Sequence, residues 1–153
     1  MKILVIHGPN LNLLGTRNTE IYGTRTLAEI NVIIVEHAKK RGATVTLYQN
    51  NHEGNIIDKI HELAAKDPQD PHQALIINPG AYTHYSFAIR DAIEAVGVPA
   101  VEVHLSDIQA REEFRSRSVI APVCRQQIVG LGYQSYLRAI DWIVAEAGRS
   151  RPG

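Results

Sequence analysis

The sequence has little of what marks several large classes of protein. Its 153 residues include one cysteine, Cys124, which excludes a disulfide framework and a thiolate metal cluster within the chain. Lysine plus arginine equals aspartate plus glutamate at 16 each, so no net field points to nucleic acid or an anionic membrane as a partner. The apolar run after Met1 is too short for a signal peptide, and no stretch approaches a membrane span. We therefore expect a soluble, cytoplasmic protein.

Several cofactor and metal motifs are also missing. No GxGxxG follows the first apolar run and no GxxxxGK[ST] occurs, so the phosphate-cradling loops of dinucleotide-binding and P-loop proteins are absent. The seven histidines include no HExxH or comparable ligand spacing, and no GxSxG surrounds a serine. The sequence thus supports no metal site.

What is present is a regular alternation of short apolar runs with amphipathic segments. Apolar or alternating runs predict strands at 3–6, 43–48, 74–77 and 98–103, and helical periodicity predicts helices at 26–41, 56–64, 87–96 and 136–144. Residues 128–132 are either a short last strand or a glycine-softened loop, and the two prolines of 67–72 indicate a loop. Alternating strands and helices predict a parallel sheet covered on both faces. About five strands favour a flavodoxin-like α/β three-layer sandwich, forming one domain over 1–147, with 148–153 as a flexible tail.

Polar side chains concentrate where three of these strands end. The stretch His7–Gly23, here called the first loop, is a long connection that carries Arg17 and Tyr22. On composition alone, a solvated linker explains it as well as a binding loop does. However, Asn78–His84 follows the third strand and Glu102–Ser106 ends the fourth, and open α/β sheets bind ligands at the carboxyl ends of their strands. Their convergence favours a site at this edge.

The first loop contains a candidate base. A tyrosine has an ordinary pKa of about 10, so a nearby cation is needed before it acts as a base at neutral pH. Arg17 and Arg25 flank Tyr22 in the sequence, and Arg115 comes from a separate loop. A tyrosine that merely packs, with its hydroxyl satisfied, is the plain alternative.

Other polar groups suit the remaining steps of a reaction beside a carbonyl. The side-chain amides of Asn10 and Asn12 are donors that an enolate requires, and His104 is a natural acid for a departing hydroxyl. Glu102 lies two residues earlier, on the same strand face, where it orients the imidazole or raises its pKa. The alternative for this pair is an ordinary surface contact.

The chain resembles the type II 3-dehydroquinate dehydratases over essentially its whole length. The resemblance rests on five ordered motifs, GPNLNLLGTR at 8–17 followed by YG at 22–23, NPGAYTH at 78–84 followed by AIRD at 88–91, EVHLS at 102–106, AREEFR at 110–115 and IVGLG at 128–132. It implies a flavodoxin-like fold, trimers that assemble into a dodecamer, and a hydro-lyase of the shikimate pathway. The implied reaction is a reversible trans-elimination of water from 3-dehydroquinate through an enolate, with no metal or organic cofactor.

The resemblance also implies catalytic roles. Tyr22 would remove the proton beside the ketone, and Arg17, in a mobile lid, would keep Tyr22 ionised. Asn10 would position a water that stabilises the enolate. His104 would protonate the departing hydroxyl, with support from Glu102.

Substrate-binding roles follow in the same way. The family has side chains that hold the ring hydroxyls, backbone amides that hold the carboxylate, and one carboxylate that reaches a neighbouring subunit's site. At the matching positions these are Asn78, His84 and Arg115 for the hydroxyls, Leu105 and Ser106 for the carboxylate, and Asp91 for the neighbour.

The sequence departs from the usual family pattern at a few positions. His7 stands where asparagine is common, and Asn18 and Thr19 replace a common Glu-Pro pair beside Arg17. Because proline restricts the chain, we expect a more mobile lid here. Larger residues at Tyr85 and Phe87, and the segment 124–127, are also atypical.

Two other functions are open on the sequence alone. A flavodoxin-like module that holds a flavin or a nucleotide is one, although no recognisable phosphate loop is present. A non-catalytic homo-oligomeric scaffold that retains the fold is the other.

Overall fold

A computed structural model describes residues 1–64 and 72–149, and within them five strands form one parallel sheet. The strands are Lys2–His7 (β1), Thr44–Gln49 (β2), Ala74–Asn78 (β3), Ala100–Val103 (β4) and Gln126–Ile128 (β5). Their order is β2-β1-β3-β4-β5, and each neighbouring pair is parallel. The predicted five-stranded, flavodoxin-like α/β sheet is confirmed. The last strand begins two residues before the predicted segment 128–132, most of which forms a turn.

The same described residues contain five α-helices and six short 3-10 turns. They are Thr19–Tyr22 (α1), Leu27–Lys40 (α2), Glu53–His61 (α3), Phe87–Val96 (α4) and Gln134–Arg149 (α5). The Thr26 hydroxyl accepts a hydrogen bond from the Glu29 amide at 3.2 Å and caps α2. Gly97 ends α4 at φ 69°, in the left-handed region that suits glycine.

Two helices differ in extent from their predicted segments. The helix predicted over 56–64 begins earlier, at Glu53, and closes as a 3-10 turn over Glu62–Ala64. The last helix extends to Arg149 and so includes Gly148, which the sequence analysis assigned to the tail. Residues 150–153 and nearly all of the predicted loop 67–72 lie outside the described residues.

Helices cover both faces of the sheet because alternate residues of β1 point to opposite sides. Ile3 and Val5 belong to a core with α2 and α5, whereas Leu4 and Ile6 belong to a core with α3 and α4. β3 is buried along its whole length, as expected for a central parallel strand. The predicted three layers are therefore present. Over the two described ranges, the helices are too short or too polar to cross a bilayer.

β1 and β3 end side by side, which brings two loops together at one edge of the sheet. His7 is in register with Asn78, and the Gly8 amide donates a hydrogen bond to the Asn78 carbonyl at 2.7 Å. A Cβ atom at Gly8 would lie 2.7 Å from the Pro79 carbonyl carbon, so the two backbones approach too closely for any other residue. This contact fixes how the first loop leaves the sheet.

Candidate active site

A cavity of about 100 Å³ lies at this edge, between the loops that follow β1, β3 and β4. Nine of the side chains and backbone segments predicted as site residues line it, namely Asn10, Arg17, Tyr22, Asn78, His84, His104, Leu105, Ser106 and Arg115. Glu102 is fully buried beneath the cavity. Asp91 is exposed on α4 and does not line the cavity. The convergence expected from the strand ends is thus observed.

Two guanidinium groups converge on the Tyr22 hydroxyl. Arg17 Nη2 donates to the Tyr22 oxygen at 3.1 Å, and its guanidinium carbon lies 4.1 Å from the centre of the ring. Arg111 Nη1 donates to the same oxygen at 2.7 Å. Two cationic donors on one phenol oxygen stabilise the negative charge of a phenolate. The sequence analysis required one cation beside Tyr22, and the structure places two there.

The second cation is one that sequence reasoning missed. Arg25 was one of the candidate cations in the sequence, but its guanidinium lies over the Tyr133 ring, 5.0 Å from the ring centre. Arg111 takes that place from the loop after β4, where it follows a 3-10 turn that the Asp107 side chain caps. The AREEFR motif contains Arg111, so the motif was the available signal.

A buried carboxylate holds the His104 imidazole. His104 Nε2 lies 2.7 Å from Glu102 Oε1 and donates to it, and Glu102 also accepts from the Thr83 hydroxyl. The Ser118 hydroxyl is 2.9 Å from both carboxylate oxygens, and the Gln127 amide reaches one of them at 3.3 Å. The sequence analysis did not assign a role to any of these three residues; Thr83 lies within the NPGAYTH motif, whereas Ser118 and Gln127 lie in none of the five motifs.

These donors determine the charge of Glu102. Burial acts to raise the pKa of Glu102, but the hydrogen bond and charge of His104, with the Thr83 and Ser118 hydroxyls, lower it below its ordinary value. The carboxylate is therefore ionised at neutral pH. It orients the imidazole and stabilises positive charge on it. The interpretation of Glu102 and His104 as a surface pair is wrong, because they are 0% and 5% exposed.

The remaining cavity residues are held by neighbours on their outer sides. His84 Nδ1 donates to the Arg117 carbonyl at 2.7 Å, which fixes that ring nitrogen as protonated. Arg115 Nε lies 2.9 Å from a Glu112 carboxylate oxygen. Asn10 adopts the left-handed conformation at φ 68°, which asparagine tolerates better than most residues, while its backbone N–H donates to Asn51 Oδ1 at 3.0 Å.

The end of β4 offers two backbone donors. The Leu105 and Ser106 carbonyls accept hydrogen bonds from the Gly132 and Gly130 amides, at 3.0 and 3.1 Å. Among the described residues, neither the Leu105 nor the Ser106 amide donates to a protein partner. Adjacent free amides that face a cavity form a site for an anionic group such as a carboxylate.

The cavity thus combines a charge-stabilised phenol, a carboxylate-backed imidazole, and donors suited to an anion. Together these groups can remove a proton, protonate a leaving group, and hold a polyhydroxylated acid. Within the described ranges, no three histidine, cysteine, aspartate or glutamate side chains are grouped to hold a metal ion.

Comparisons with known proteins give one consistent result. Residues 1–144 match the model of a family described as dehydroquinase class II. A 3-dehydroquinate dehydratase of Nostoc sp. is 55% identical over 145 residues, which cover 95% of each chain. One of Lachnoclostridium phytofermentans is 54% identical over 145 residues, covering 95% of this chain and 97% of the relative.

Solved structures agree with these relatives. A type II dehydroquinase from Butyrivibrio crossotus superimposes with a TM-score of 0.89 at 50% identity, covering 94% of this chain and 97% of the other. One from Propionibacterium acnes gives a TM-score of 0.87 at 38% identity, with coverage of 94% and 96%.

Proposed function

The chain belongs to the dehydroquinase class II family, and from this premise we propose that it is a 3-dehydroquinate dehydratase, a hydro-lyase of the shikimate pathway. The observation that carries the proposal is the Tyr22 hydroxyl, bound by two guanidinium groups in the cavity that His104 also lines. The reaction removes a proton from the carbon beside the ketone and a hydroxyl from the next carbon. It therefore needs a base and an acid that face one substrate.

The base in this proposal is the Tyr22 phenolate. Arg17 and Arg111 stabilise its negative charge until it takes the proton. The electron pair of the broken C–H bond passes to the ketone oxygen and gives an enolate. Asn10 lines the cavity, and we propose that it positions a water that donates a hydrogen bond to the enolate oxygen.

The acid is His104. As the enolate collapses to a carbon–carbon double bond, the C–O bond to the hydroxyl breaks and the imidazolium of His104 protonates the departing oxygen, which leaves as water. The buried Glu102 carboxylate accepts a hydrogen bond from the ring at 2.7 Å and supports its positive charge. We propose that this is a trans-elimination, with base and acid on opposite faces of the substrate.

Binding of the substrate uses the other cavity groups. The Leu105 and Ser106 amides would hold the substrate carboxylate, and the side chains of Asn78, His84 and Arg115 would hold the ring hydroxyls. The first loop would act as a lid that brings Arg17 and Tyr22 over the substrate. We propose that no metal or organic cofactor takes part.

The assembly is part of the proposal. We propose trimers, four of which form a dodecamer of 17.0 kDa chains, with Asp91 reaching the cavity of a neighbouring subunit. Its exposed position on α4 supports this, as do the nearby Tyr85 and Phe87 rings, which are 60% and 59% exposed. Light scattering should give about 200 kDa for twelve chains, and a monomer would contradict the proposal.

We also propose that the protein is cytoplasmic. Fractionation of the source cells with an antibody would test this, and recovery in the membrane or periplasmic fraction would contradict it.

The activity is tested directly by ultraviolet absorbance. Purified protein mixed with 3-dehydroquinate should produce an absorbance rise, because the product contains a conjugated enone that the substrate lacks, and a metal chelator should leave the rise unchanged. Tyr22→Phe should lower kcat by about 10² to 10⁴. Tyr48→Phe is the matched control, since its ring lies on β2 beside Lys59 and outside the cavity. No rise from a folded wild-type protein would instead favour the scaffold.

A further inference from the structure

A chain of hydrogen bonds runs behind the cavity, from α2 to the loop after β3. Asn31 Oδ1 lies 2.8 Å from His7 Nε2, and His7 Nδ1 lies 2.8 Å from the Tyr136 hydroxyl. The Tyr136 oxygen accepts from Asn78 Nδ2 at 3.2 Å, and Asn78 Oδ1 accepts from the Gly80 amide at 3.1 Å. His7, Tyr136 and Asn78 are all buried, so water does not compete for these bonds.

The groups at the two ends of this hydrogen-bond chain determine which atom donates in each of its hydrogen bonds. The Asn31 oxygen only accepts, so His7 Nε2 carries a proton and donates it. Burial lowers the pKa of His7 to about 4, against a smaller opposing effect of the Asn31 hydrogen bond, so the ring is neutral near pH 7. A neutral ring protonated at Nε2 has a bare Nδ1, and that atom accepts a hydrogen bond from the Tyr136 hydroxyl.

The hydrogen bonds at the Gly80 end are consistent with this direction of donation. Backbone amides only donate, so the Gly80 N–H requires the oxygen of the Asn78 side chain on its side. The Asn78 NH₂ group then faces Tyr136, whose own proton is already turned to His7 and whose oxygen is free to accept. Asn78 also lines the cavity, where it retains one N–H and one carbonyl lone pair for a ligand.

We propose that His7 is a positioning residue for substrate binding, because through Tyr136 it holds the NH₂ side of the Asn78 amide in the orientation that the Gly80 amide sets on the oxygen side. The inference rests on the proposed function only in taking Asn78 as a substrate-binding group. A ring that donated from Nδ1 would leave the Tyr136 proton without an acceptor and weaken the hold on Asn78. The sequence shows His7 only as a departure from the common asparagine, whereas its contacts give it this role.

Two variants distinguish the contribution of His7 Nδ1 from that of His7 Nε2. His7→Asn places an amide oxygen near the position of Nδ1, so it preserves the acceptor for Tyr136 but is too short to reach Asn31. His7→Gln extends to the position of Nε2, so it preserves the Asn31 contact and loses the acceptor. If His7 merely stabilised the fold, substrate binding would not be retained in His7→Asn and weakened in His7→Gln.

The kinetic expectation follows from where Asn78 acts. A group that holds the substrate equally in the ground state and the transition state affects KM and leaves kcat unchanged. His7→Gln should therefore raise KM for 3-dehydroquinate up to about tenfold, the equivalent of one hydrogen bond, with kcat retained, and His7→Asn should restore the wild-type KM. Tyr136→Phe should raise KM in the same way, and it supplies a second test if His7→Gln does not fold.

Neutron diffraction from wild-type crystals tests the same inference without substrate. Deuterium should be found on His7 Nε2 and absent from Nδ1, and the Tyr136 O–D bond should point at Nδ1. Deuterium on Nδ1, or a His7→Gln variant with wild-type KM, would overturn the inference. A wild-type protein that shows the expected deuterium positions but no turnover would overturn the proposed function and leave the hydrogen-bond direction established.

Discussion

Acidification should destabilise this protein through His7 by an amount that follows from its burial. The ring is 1% exposed, and burial lowers the pKa of His7 from 6.5 to about 4 in the folded chain. In the unfolded chain the ring takes up a proton near its ordinary pKa. Between these two values the unfolded state binds more protons, so the free energy of unfolding falls as the pH falls from 6.5 towards 4.

The magnitude comes from the difference between the two pKa values. One pKa unit corresponds to about 1.4 kcal/mol, so the full difference is worth about 3 kcal/mol, all of it present above pH 7 and most of it lost at pH 4. By pH 5 the loss from this ring alone already reaches about 2 kcal/mol. Tyr136 and Asn31, its two hydrogen-bond partners, carry no charge in this range and do not offset the loss.

Urea unfolding followed by Trp142 fluorescence measures this loss. Wild type and His7→Asn would be compared at pH 7, 6 and 5, at a single protein concentration because any assembly contributes to stability. Wild type should lose about 2 kcal/mol more than His7→Asn between pH 7 and pH 5. Equal losses in the two proteins would refute the reasoning, since they would mean that the folded protein accommodates a protonated ring at position 7.

Three further perturbations have equally definite expectations. Arg111→Ala should lower kcat by a factor on the order of 10², because it removes the guanidinium nearer to the hydroxyl of Tyr22, the proposed base. Arg25→Ala should leave kcat unchanged, and equal effects of the two substitutions in the steady-state assay would contradict the assignment. Gly8→Ala should lower the free energy of unfolding in urea by about 1–3 kcal/mol, because the new Cβ would lie 2.7 Å from backbone. Gly54→Ala is the control: Gly54 lies in α3 with open space around it, so alanine there should raise the free energy of unfolding by about 0.5–1 kcal/mol. Thr19→Pro, at the first position of α1, suits the helix start and should slow proteolytic cleavage of the first loop; unchanged cleavage would contradict the expected lid mobility.

The parts of the fold that sequence predicts well are those with local signals. β3 is a continuous apolar run that is buried on both faces, and α2 begins after Thr26, whose hydroxyl caps the Glu29 amide as the sequence pattern predicts. β5 has no such signal, since Gln126–Ile128 is short, mostly polar, and pairs only with β4 at the sheet edge. Its strand conformation comes from that pairing and not from its own residues.

The site residues likewise differ in whether a local sequence signal predicts them. Asn78 and His104 are predictable because Asn78 ends β3 and His104 directly follows β4, and open α/β sheets bind their ligands at that edge. The cation on Tyr22 shows the opposite case. Arg25 is three positions from Tyr22 in the sequence but lies over another ring, while Arg111, 89 positions away, contacts the hydroxyl at 2.7 Å. Proximity in sequence is a poor guide to a charge partner when a turn directs the side chains apart.

The two buried histidines show what a residue list alone cannot separate. His7 and His104 are 1% and 5% exposed, and both lie where strands of one sheet end, so neither burial nor position distinguishes them. Their partners do. His104 donates to the ionised Glu102 carboxylate, which stabilises a positive ring and suits it to protonate a leaving group. His7 lies between neutral Asn31 and Tyr136, where a positive charge has no compensation. We therefore propose proton transfer for the ring that has a carboxylate partner, and a positioning role for the ring that lies between neutral groups.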